Sequence, residues 1–379
     1  MKILMISHEY PPVGGGGANA CMKLSAEYKK QGHEVTVVTV WFDGLEKEEK
    51  SEGLHIIRVP SKRKNKEHCS FPEMICYLLK SWIVCEKLER EKRFDICQVF
   101  FAIPSGPIGF YLKWRYKLPY IIRFGGGDIP GFQDRFQMVY KLIGPFEKVI
   151  WKYADALVAN SDGLKKMAEG FYSKKEILII PNGADVPNEA VIEKRNLGNK
   201  ECRILFVSRL IERKGLQYVL PQLQNLQKRC SEKIQMIVVG DGPYRNELEK
   251  IVECCGIKDM VTFVGQKEKQ ELPQYYSNAE VFILPSQKEG MPNVVLEAMS
   301  YGLPIVMTPC EGSKELICEN GYAVSVKNFT ECLVELCNNE VLRAKMGKKS
   351  RDLIENYFLW SQTADKYLKL MENVLNKKG

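Results

Sequence analysis

Short apolar runs alternate with amphipathic stretches along almost the whole chain. KILMIS (residues 2–7), GHEVTVVTV (32–40), residues 54–59, DICQVF (95–100) and LPYIIRF (118–124) are bounded by turn-forming residues and predict buried strands. Between them, residues 18–30, 71–90 and 104–116 set apolar side chains on one face at helical spacing. Residues 133–153, rich in Trp, Phe, Tyr, Ile and Lys, predict another helix, whose apolar side is either core or a membrane-facing surface. ADALVANS (154–161) and ILIIPNGAD (177–185) close this first set of strands. Residues 186–200 are polar and turn-rich and predict a linker.

The alternation then restarts. RILFVSRLIERKGL (203–216) reads as strand, loop and helix, and IQMIVVGDGPYRNEL (234–248) as strand, glycine turn and helix. VTFVGQ (261–266), EVFILPS (280–286) and LPIVMT (303–308) are strands; residues 269–277, 342–357 and 361–375 are helices. Alternation of this kind, twice over, predicts an α/β protein with two doubly wound, Rossmann-like domains. Their expected limits are 1–185 and 201–357, with 186–200 between them and a closing helix over 358–379.

Composition agrees with two domains: 379 residues, 45% hydrophobic. MKILMISHEY turns polar too early for a signal peptide. MICYLLKSWIVC (74–85) contains Lys80 and is too short to span a bilayer. A cytoplasmic protein is expected, either free or peripheral on the cytoplasmic face of a membrane. The 13 cysteines are scattered, without a CxxC pair, and read as small buried hydrophobes in a reducing compartment; His68 beside Cys69 is not taken as half of a metal site. Net charge is +8, and between Glu52 and Lys148 there are 17 Lys+Arg against 10 Asp+Glu. That excess, including SKRKNKEH (61–68) and YLKWRYK (111–117), is either a solvated surface or a patch for anionic lipid. No nucleic-acid motif accompanies it.

The candidate chemistry is concentrated in EGMPNVVLEAM (289–299). Glu289 falls on a strand-to-helix loop and Glu297 in the helix that follows, eight positions on, a little over two helical turns. Two carboxylates so placed suit two parts of one extended ligand rather than one proton or one metal ion. The first-turn N–H groups of that helix make a seat for phosphate or a sugar oxygen. Gly14, Gly15, Gly16 and Gly17 follow the first strand and let backbone approach a ligand closely, although they are not a GxGxxG fingerprint. Arg209 and Lys214 lie five apart on a strand-end turn, a pairing of forked and point-charge donors suited to a diphosphate. Arg123 and Asp128 flank Gly126 and Gly127 in the strand-end loop RFGGGDIPGF. Asn182 and Gly183 suit a tight turn.

EGMPNVVLEAMSYGLPIV resembles the signature of the retaining nucleotide-sugar glycosyltransferases of family 4, which have the GT-B fold, and the resemblance extends over nearly the whole chain. It implies two domains facing one another across a cleft, with the last helix crossing back to the first domain. It implies a donor such as a UDP-sugar or GDP-mannose and an acceptor hydroxyl on a glycan or lipid-linked glycan, in cell-surface polysaccharide or glycolipid synthesis. Arg209 and Lys214 would bind the donor phosphates, with Gly14 to Gly17 facing them. Gly265 and Gln266 would read the base, and Glu297 would hold the ribose. Glu289 would hold the donor sugar, with Gly290, Met291, Asn293 and Val294 beside it. Arg123, Gly126, Gly127, Asp128 and Asn182 would stand on the acceptor side, Asp128 as a catalytic candidate with Glu289, Arg209 and Lys214. The loop departs from the RGGD-P-G form of part of the family by Phe124 and an extra glycine, and no histidine stands here as in many members. With no DxD signature near a donor loop, neither an essential metal nor a cofactor is expected. The alternatives are a GT-B epimerase or phosphorylase, and a non-catalytic sugar-nucleotide binder within a polysaccharide-making complex.

Overall fold

The structure is a computed structural model and describes residues 1–66, 69–132, 137–188 and 201–377. His68, residues 133–136 of the predicted helix and most of the predicted linker lie outside the described residues. The chain divides into two compact units, Met1–Asn182 with Trp360–Gly379, and Gly183–Leu359.

The first unit is built on β1 (Lys2–Ile6), α1 (Gly16–Lys30), β2 (Glu34–Trp41), β3 (Glu48–Ser51), β4 (Leu54–Pro60), α2 (Phe71–Lys92), β5 (Ile96–Phe100), α3 (Ala102–Tyr116), β6 (Tyr120–Arg123), α4 (Gln137–Tyr153), β7 (Ala156–Ala159), α5 (Asp162–Phe171) and β8 (Ile177–Ile179). Its strands are ordered β3-β4-β2-β1-β5-β6-β7-β8. All neighbours are parallel except β3 and β4. β1, β5, β6 and β7 are almost wholly buried, as strands covered on both faces must be.

The second unit follows with β9 (Glu201–Val207), α6 (Leu223–Arg229), β10 (Lys233–Val239), α7 (Arg245–Cys254), β11 (Val261–Gly265), α8 (Leu272–Ser277), β12 (Val281–Leu284), α9 (Asn293–Ser300), β13 (Ile305–Met307), α10 (Ser313–Leu316), β14 (Gly321–Ala323), α11 (Phe329–Asn338) and α12 (Glu340–Tyr357). Its sheet is parallel throughout, in the order β11-β10-β9-β12-β13-β14. The last helix, α13 (Trp360–Asn376), belongs to the first unit and buries Trp360, Tyr367 and Met371 in the core formed by β1, β2 and α1.

Several local features differ from the sequence reading, among them α5 and β14, for which no element was expected. β3 is an antiparallel edge strand of four exposed polar residues, turning into β4 at Gly53 (φ +72°). Such a strand has no apolar alternation to betray it. The helix expected at the end of 203–216 is replaced by successive 3-10 turns at Glu212–Lys214, Leu216–Tyr218 and Leu220–Gln222. Gly215, at φ +75°, and Pro221 prevent a regular helix from starting earlier. Helix α11, with Phe329, Leu333 and Leu336 in the core, was not among the expected elements.

Candidate functional site

In the second sheet β9 has β10 on one side and β12 on the other, so chain direction around the sheet reverses between β9 and β12. Crevices outside the carboxyl ends of strands at such a reversal are where doubly wound sheets bind ligands. The loops leaving β9 and β12 are fastened together here. A Cβ on Gly215 would lie 1.9 Å from the Pro285 carbonyl oxygen, so no side chain fits at that crossing. The Arg213 carbonyl accepts the Gln287 amide at 2.9 Å. The Arg213 guanidinium donates to the Lys288 carbonyl.

The crossing brings Lys214 and Glu289 together. Lys214 Nζ lies 2.5 Å from Glu289 Oε1, and the Ser286 hydroxyl donates to the same oxygen at 2.6 Å. Both charged side chains are largely buried, 14% and 13% exposed. Burial pushes the Glu289 carboxyl up, but the positive charges of Lys214 and Arg213 outweigh it and hold the acid below its ordinary value. The loop after β13 completes the wall. Glu289 N donates to Glu311 Oε2 at 3.2 Å, and Glu311 N donates back to the Glu289 carbonyl at 3.1 Å. Gly312 is needed there, because a Cβ would meet the Gly290 carbonyl at 2.3 Å.

Glu297 sits in α9, where its Oε2 accepts the Tyr276 hydroxyl at 2.9 Å. The Tyr276 ring stacks on Tyr301 at 5.3 Å. Burial and the Glu297 charge hold the Tyr276 phenol well above its ordinary value, so it stays a donor. Helix α9 starts after Pro292 without a side-chain cap, with Asn293 and Val294 half-buried in its first turn and Gly290 and Met291 buried before it. Arg209 is half-buried just after β9; the next residue, Leu210, donates its amide to the Asp241 carbonyl at 2.9 Å. Gly265, the end of β11, accepts the Gly240 amide at 2.9 Å, and Gln266 beyond it is exposed.

The first sheet reverses between β1 and β5. The glycine loop leaves β1 at that point. Gly17 abuts the Phe101 ring, where a Cβ would come within 2.3 Å. Gly16 opens α1 and Gly15 precedes it. The loop is already tied to an acid: Gly15 N donates to Glu9 Oε2 at 3.3 Å, and Gly14 N to the Lys66 carbonyl at 2.8 Å. Glu9 in turn pairs with Arg63 at 3.4 Å. The Arg63 side chain is 0% exposed and also donates to the carbonyls of His8, Asn65 and Lys66. A basic run with the look of a solvated loop therefore has one arginine turned inward. Lys62, Lys64 and Lys66 remain exposed. Burial holds the neighbouring His8 imidazole down at about 4, so it is neutral.

The loop after β6 is held from both ends. Asp128 is 2% exposed, and its oxygens accept the Ala102 amide at 2.7 Å and the Gly125 amide at 2.8 Å. Burial holds its carboxyl above its ordinary value. A carboxyl so placed ties α3 to the loop. Arg123 is equally buried, donates to Asn182 Oδ1 and lies over the Phe100 ring at 5.3 Å. Gly126, at φ +100°, packs under Phe132, and the Gly127 carbonyl accepts the Tyr140 hydroxyl at 2.7 Å.

Sequence reasoning missed Arg213, Ser286, Tyr276, Glu9 and Arg63. Ser286, three residues before Glu289 at a strand end, could have been inferred from its place. Nothing in the sequence ties Tyr276 to Glu297 or Arg63 to Glu9. Among the described residues no group of three or more His, Cys, Asp or Glu could hold a metal ion. No described helix is long and apolar enough to cross a membrane.

The comparisons with known proteins agree with this layout. Residues 14–187 match the family described as Glycosyltransferase Family 4, and residues 187–353 that described as Glycosyl transferases group 1. The chain is 28% identical over 350 residues to an uncharacterised glycosyltransferase of Methanocaldococcus jannaschii, covering 86% of each. It is 24% identical over 324 residues to the alpha-monoglucosyldiacylglycerol synthase of Streptococcus pneumoniae, covering 81% of this chain and 70% of that one. The solved sucrose-phosphate synthase of Thermosynechococcus elongatus superposes with a TM-score of 0.83 at 21% identity, over 100% of both chains. The chain belongs to the family 4 glycosyltransferases and has their GT-B fold.

Proposed function

We propose that this glycosyltransferase is a retaining enzyme that moves a sugar from a nucleoside-diphosphate donor to a hydroxyl of a glycan or lipid-linked acceptor. The observation that carries the reading is the Lys214–Glu289–Ser286 cluster at the reversal point of the second sheet. A leaving diphosphate needs positive charge placed in advance, and charge preorganised in this way usually contributes more to the rate than any other single effect. Arg209 and Lys214 take that role, with no essential metal, so transfer is expected to survive a chelator. Glu289, kept ionised, accepts hydroxyls of the donor sugar and orients its anomeric carbon. Glu297, fixed by Tyr276, accepts the ribose hydroxyls, and backbone near Gly265 and Gln266 reads the base. The acceptor belongs to the first unit, where Asp128 shapes the loop that carries Arg123. A relative named for a glucosyldiacylglycerol supports a lipid-linked acceptor, met at the membrane face.

Thermal shift against UDP, GDP and their sugars tests this. A ligand that binds only the native state raises its melting temperature. One nucleotide series is expected to do so, and Arg209→Ala with Lys214→Ala is expected to weaken it about tenfold or more. No shift with any nucleotide diphosphate, or unchanged affinity in the double variant, would reject the reading.

A further inference from the structure

Three thiols meet in the second unit. Cys202 is the second residue of β9, Cys230 closes α6, and Cys337 lies in the last turn of α11. The Cys202 thiol is 3.2 Å from that of Cys337, which is 135 residues away in the chain. The Cys337 side chain also hydrogen-bonds to that of Cys230. Cys202 and Cys337 are fully buried, whereas Cys230 is half-buried and is the member of the trio that solvent reaches. A cysteine packed among carbon atoms is a small hydrophobe and inert. A thiol set against other thiols has a reaction open to it, the formation of a disulfide.

The chain around Cys230 and Cys337 is fastened independently of the sulfur atoms. Asn338, next to Cys337, accepts the Ser231 amide at 3.0 Å and donates to the Arg229 carbonyl at 2.9 Å, so it grips the backbone on both sides of Cys230. Arg229 donates twice to Glu331 of α11, at 2.6 and 2.7 Å. Arg343 of α12 donates to the Leu336 and Cys337 carbonyls at 2.8 and 2.7 Å. These clamps keep the two cysteines facing one another. The two thiols also differ in kind. The hydrogen bond from Cys337, with the Arg229 charge, outweighs partial burial and Glu232 and holds the Cys230 thiol below its ordinary value. Hydrogen bonds to both neighbours, together with burial, hold the Cys337 thiol above its own. Cys230 is therefore the first of the pair to ionise, and the thiolate is the nucleophile.

We propose that Cys230 and Cys337 are a reversible disulfide site oxidised by hydroperoxides, with Cys230 the attacking thiol and Cys337 the resolving one. The Cys230 thiolate attacks the peroxide. An S–O bond forms as the O–O bond breaks, leaving a sulfenic acid on Cys230 and a hydroxide, which takes up the proton that Cys230 had released. The Cys337 sulfur then displaces the sulfenic hydroxyl, which departs as a second water with the Cys337 proton. The two thiols lose two electrons and the peroxide gains them. Cys202 stays a thiol behind Cys337. The site stands at the amino ends of β9 and β10, whereas the loops of Lys214 and Glu289 leave the carboxyl ends of β9 and β12. Its effect is therefore on stability: the bond closes a loop that spans most of the second unit.

The test is mild hydrogen peroxide treatment of the full reduced chain, followed by alkylation in denaturant and peptide mapping. A peptide linked through Cys230 and Cys337 is expected, with Cys202 alkylated, and dithiothreitol is expected to restore both thiols. The oxidised protein is expected to melt about 5 °C or more above the reduced one. Cys337→Ser is expected to stop at the sulfenic acid on Cys230, trapped by dimedone, and Cys230→Ser to leave Cys337 a thiol. Cys254→Ser, at an exposed cysteine outside the trio, is expected to change nothing. Unaltered melting of the reduced variants would show that folding is intact; should Cys337→Ser fail to fold, the wild-type map and Cys230→Ser decide. A link between Cys202 and Cys337 instead, a link between two chains, or oxidation of Cys254 with no linked pair would overturn the proposal. So would a Cys230–Cys337 bond that lowers the melting temperature, because the native fold would then be strained by it.

Discussion

Lys214 and Glu289 hold each other at 2.5 Å across two strand-end loops that are 75 residues apart in the chain. The residue proposed to meet the leaving phosphate is thus also the one that keeps the sugar-holding carboxylate ionised. Binding and orientation are coupled through one contact. Glu289→Gln keeps the shape but not the charge, and its expected effect is a fall in kcat of about a hundredfold or more with nucleotide affinity nearly unchanged. Steady-state kinetics beside calorimetric nucleotide titration reads both; turnover close to wild type would remove Glu289 from the reaction.

Lys214→Ala makes a different prediction, about pH. Glu289 is held below its ordinary value in the fold, so its ionisation stabilises the protein above the unfolded carboxyl pKa of about 4.3 and that stability is lost as pH falls through the depressed folded value. Removing Lys214 leaves a largely buried carboxylate with less compensation, at a cost of about 1–3 kcal/mol near neutrality. The gap in melting temperature between variant and wild type is expected to narrow on acidification, as Glu289 takes up a proton. A gap that stays constant from neutral to acid pH would show that the pair carries no charge coupling.

Tyr276→Phe removes a single oxygen from beneath Glu297. The loss of that charge-assisted hydrogen bond is expected to cost about 1–3 kcal/mol of stability and to weaken nucleotide binding several-fold through a looser carboxylate. Because Tyr276 touches no reacting atom in the proposed complex, kcat at saturating donor should hold. A fall in kcat with unchanged affinity would place Tyr276 in the chemistry instead of behind it.

What could be read from the sequence was whatever is local. Buried parallel strands such as β1 and β12 announce themselves as apolar runs, and Glu289 is visible because a strand, a glycine and a helix start surround it in eleven residues. Arg209 and Lys214 are visible for the same reason. What was hidden depends on contacts between distant segments. Arg63 looks like its neighbours Lys62 and Lys64 until Glu9 and three carbonyls draw it in. Tyr276 looks like core until the fold sets Glu297 beside it. Asp128 carries the charge of a reacting group, yet two backbone amides claim its oxygens. On α4 the periodicity was legible but its direction was not, since only the packed structure shows that Glu147 faces in and Leu142 faces out.

Arg63 gives a structural prediction with a sharp readout. Its guanidinium is the common anchor of Glu9, the glycine loop and the basic loop at residues 61–66. Arg63→Met keeps the bulk but takes the guanidinium from Glu9, which keeps only the Gly15 amide, and from the His8, Asn65 and Lys66 carbonyls, which is expected to cost about 3 kcal/mol or more. The basic loop should then loosen first, so trypsin should cut at Lys62, Lys64 or Lys66 well before the rest of the chain, while wild type resists there. Equal resistance in both proteins would show that the loop is held by something other than Arg63.

Glu147 supplies the last prediction, and its sign is the reverse of that for Glu289. Among the described residues neither of its buried carboxyl oxygens has a partner at hydrogen-bond distance, and burial, reinforced by the charge of Asp128 and only partly offset by the Trp151 indole, pushes its pKa up to about 9. The folded protein therefore holds this proton where the unfolded chain, with a carboxyl pKa of about 4.3, gives it up. Stability from this group is full below about pH 4 and erodes as pH rises, at up to about 1.4 kcal/mol per pH unit, until the loss is complete above about pH 9. Glu147→Met replaces the acid with an apolar side chain of similar length in a buried site. It is expected to raise the stability at pH 8 by on the order of a few kcal/mol, read as a higher melting temperature, and to have little effect at pH 4. Melting curves across that range decide it. A variant that is equally or less stable than wild type at pH 8 would mean that Glu147 is satisfied where it lies.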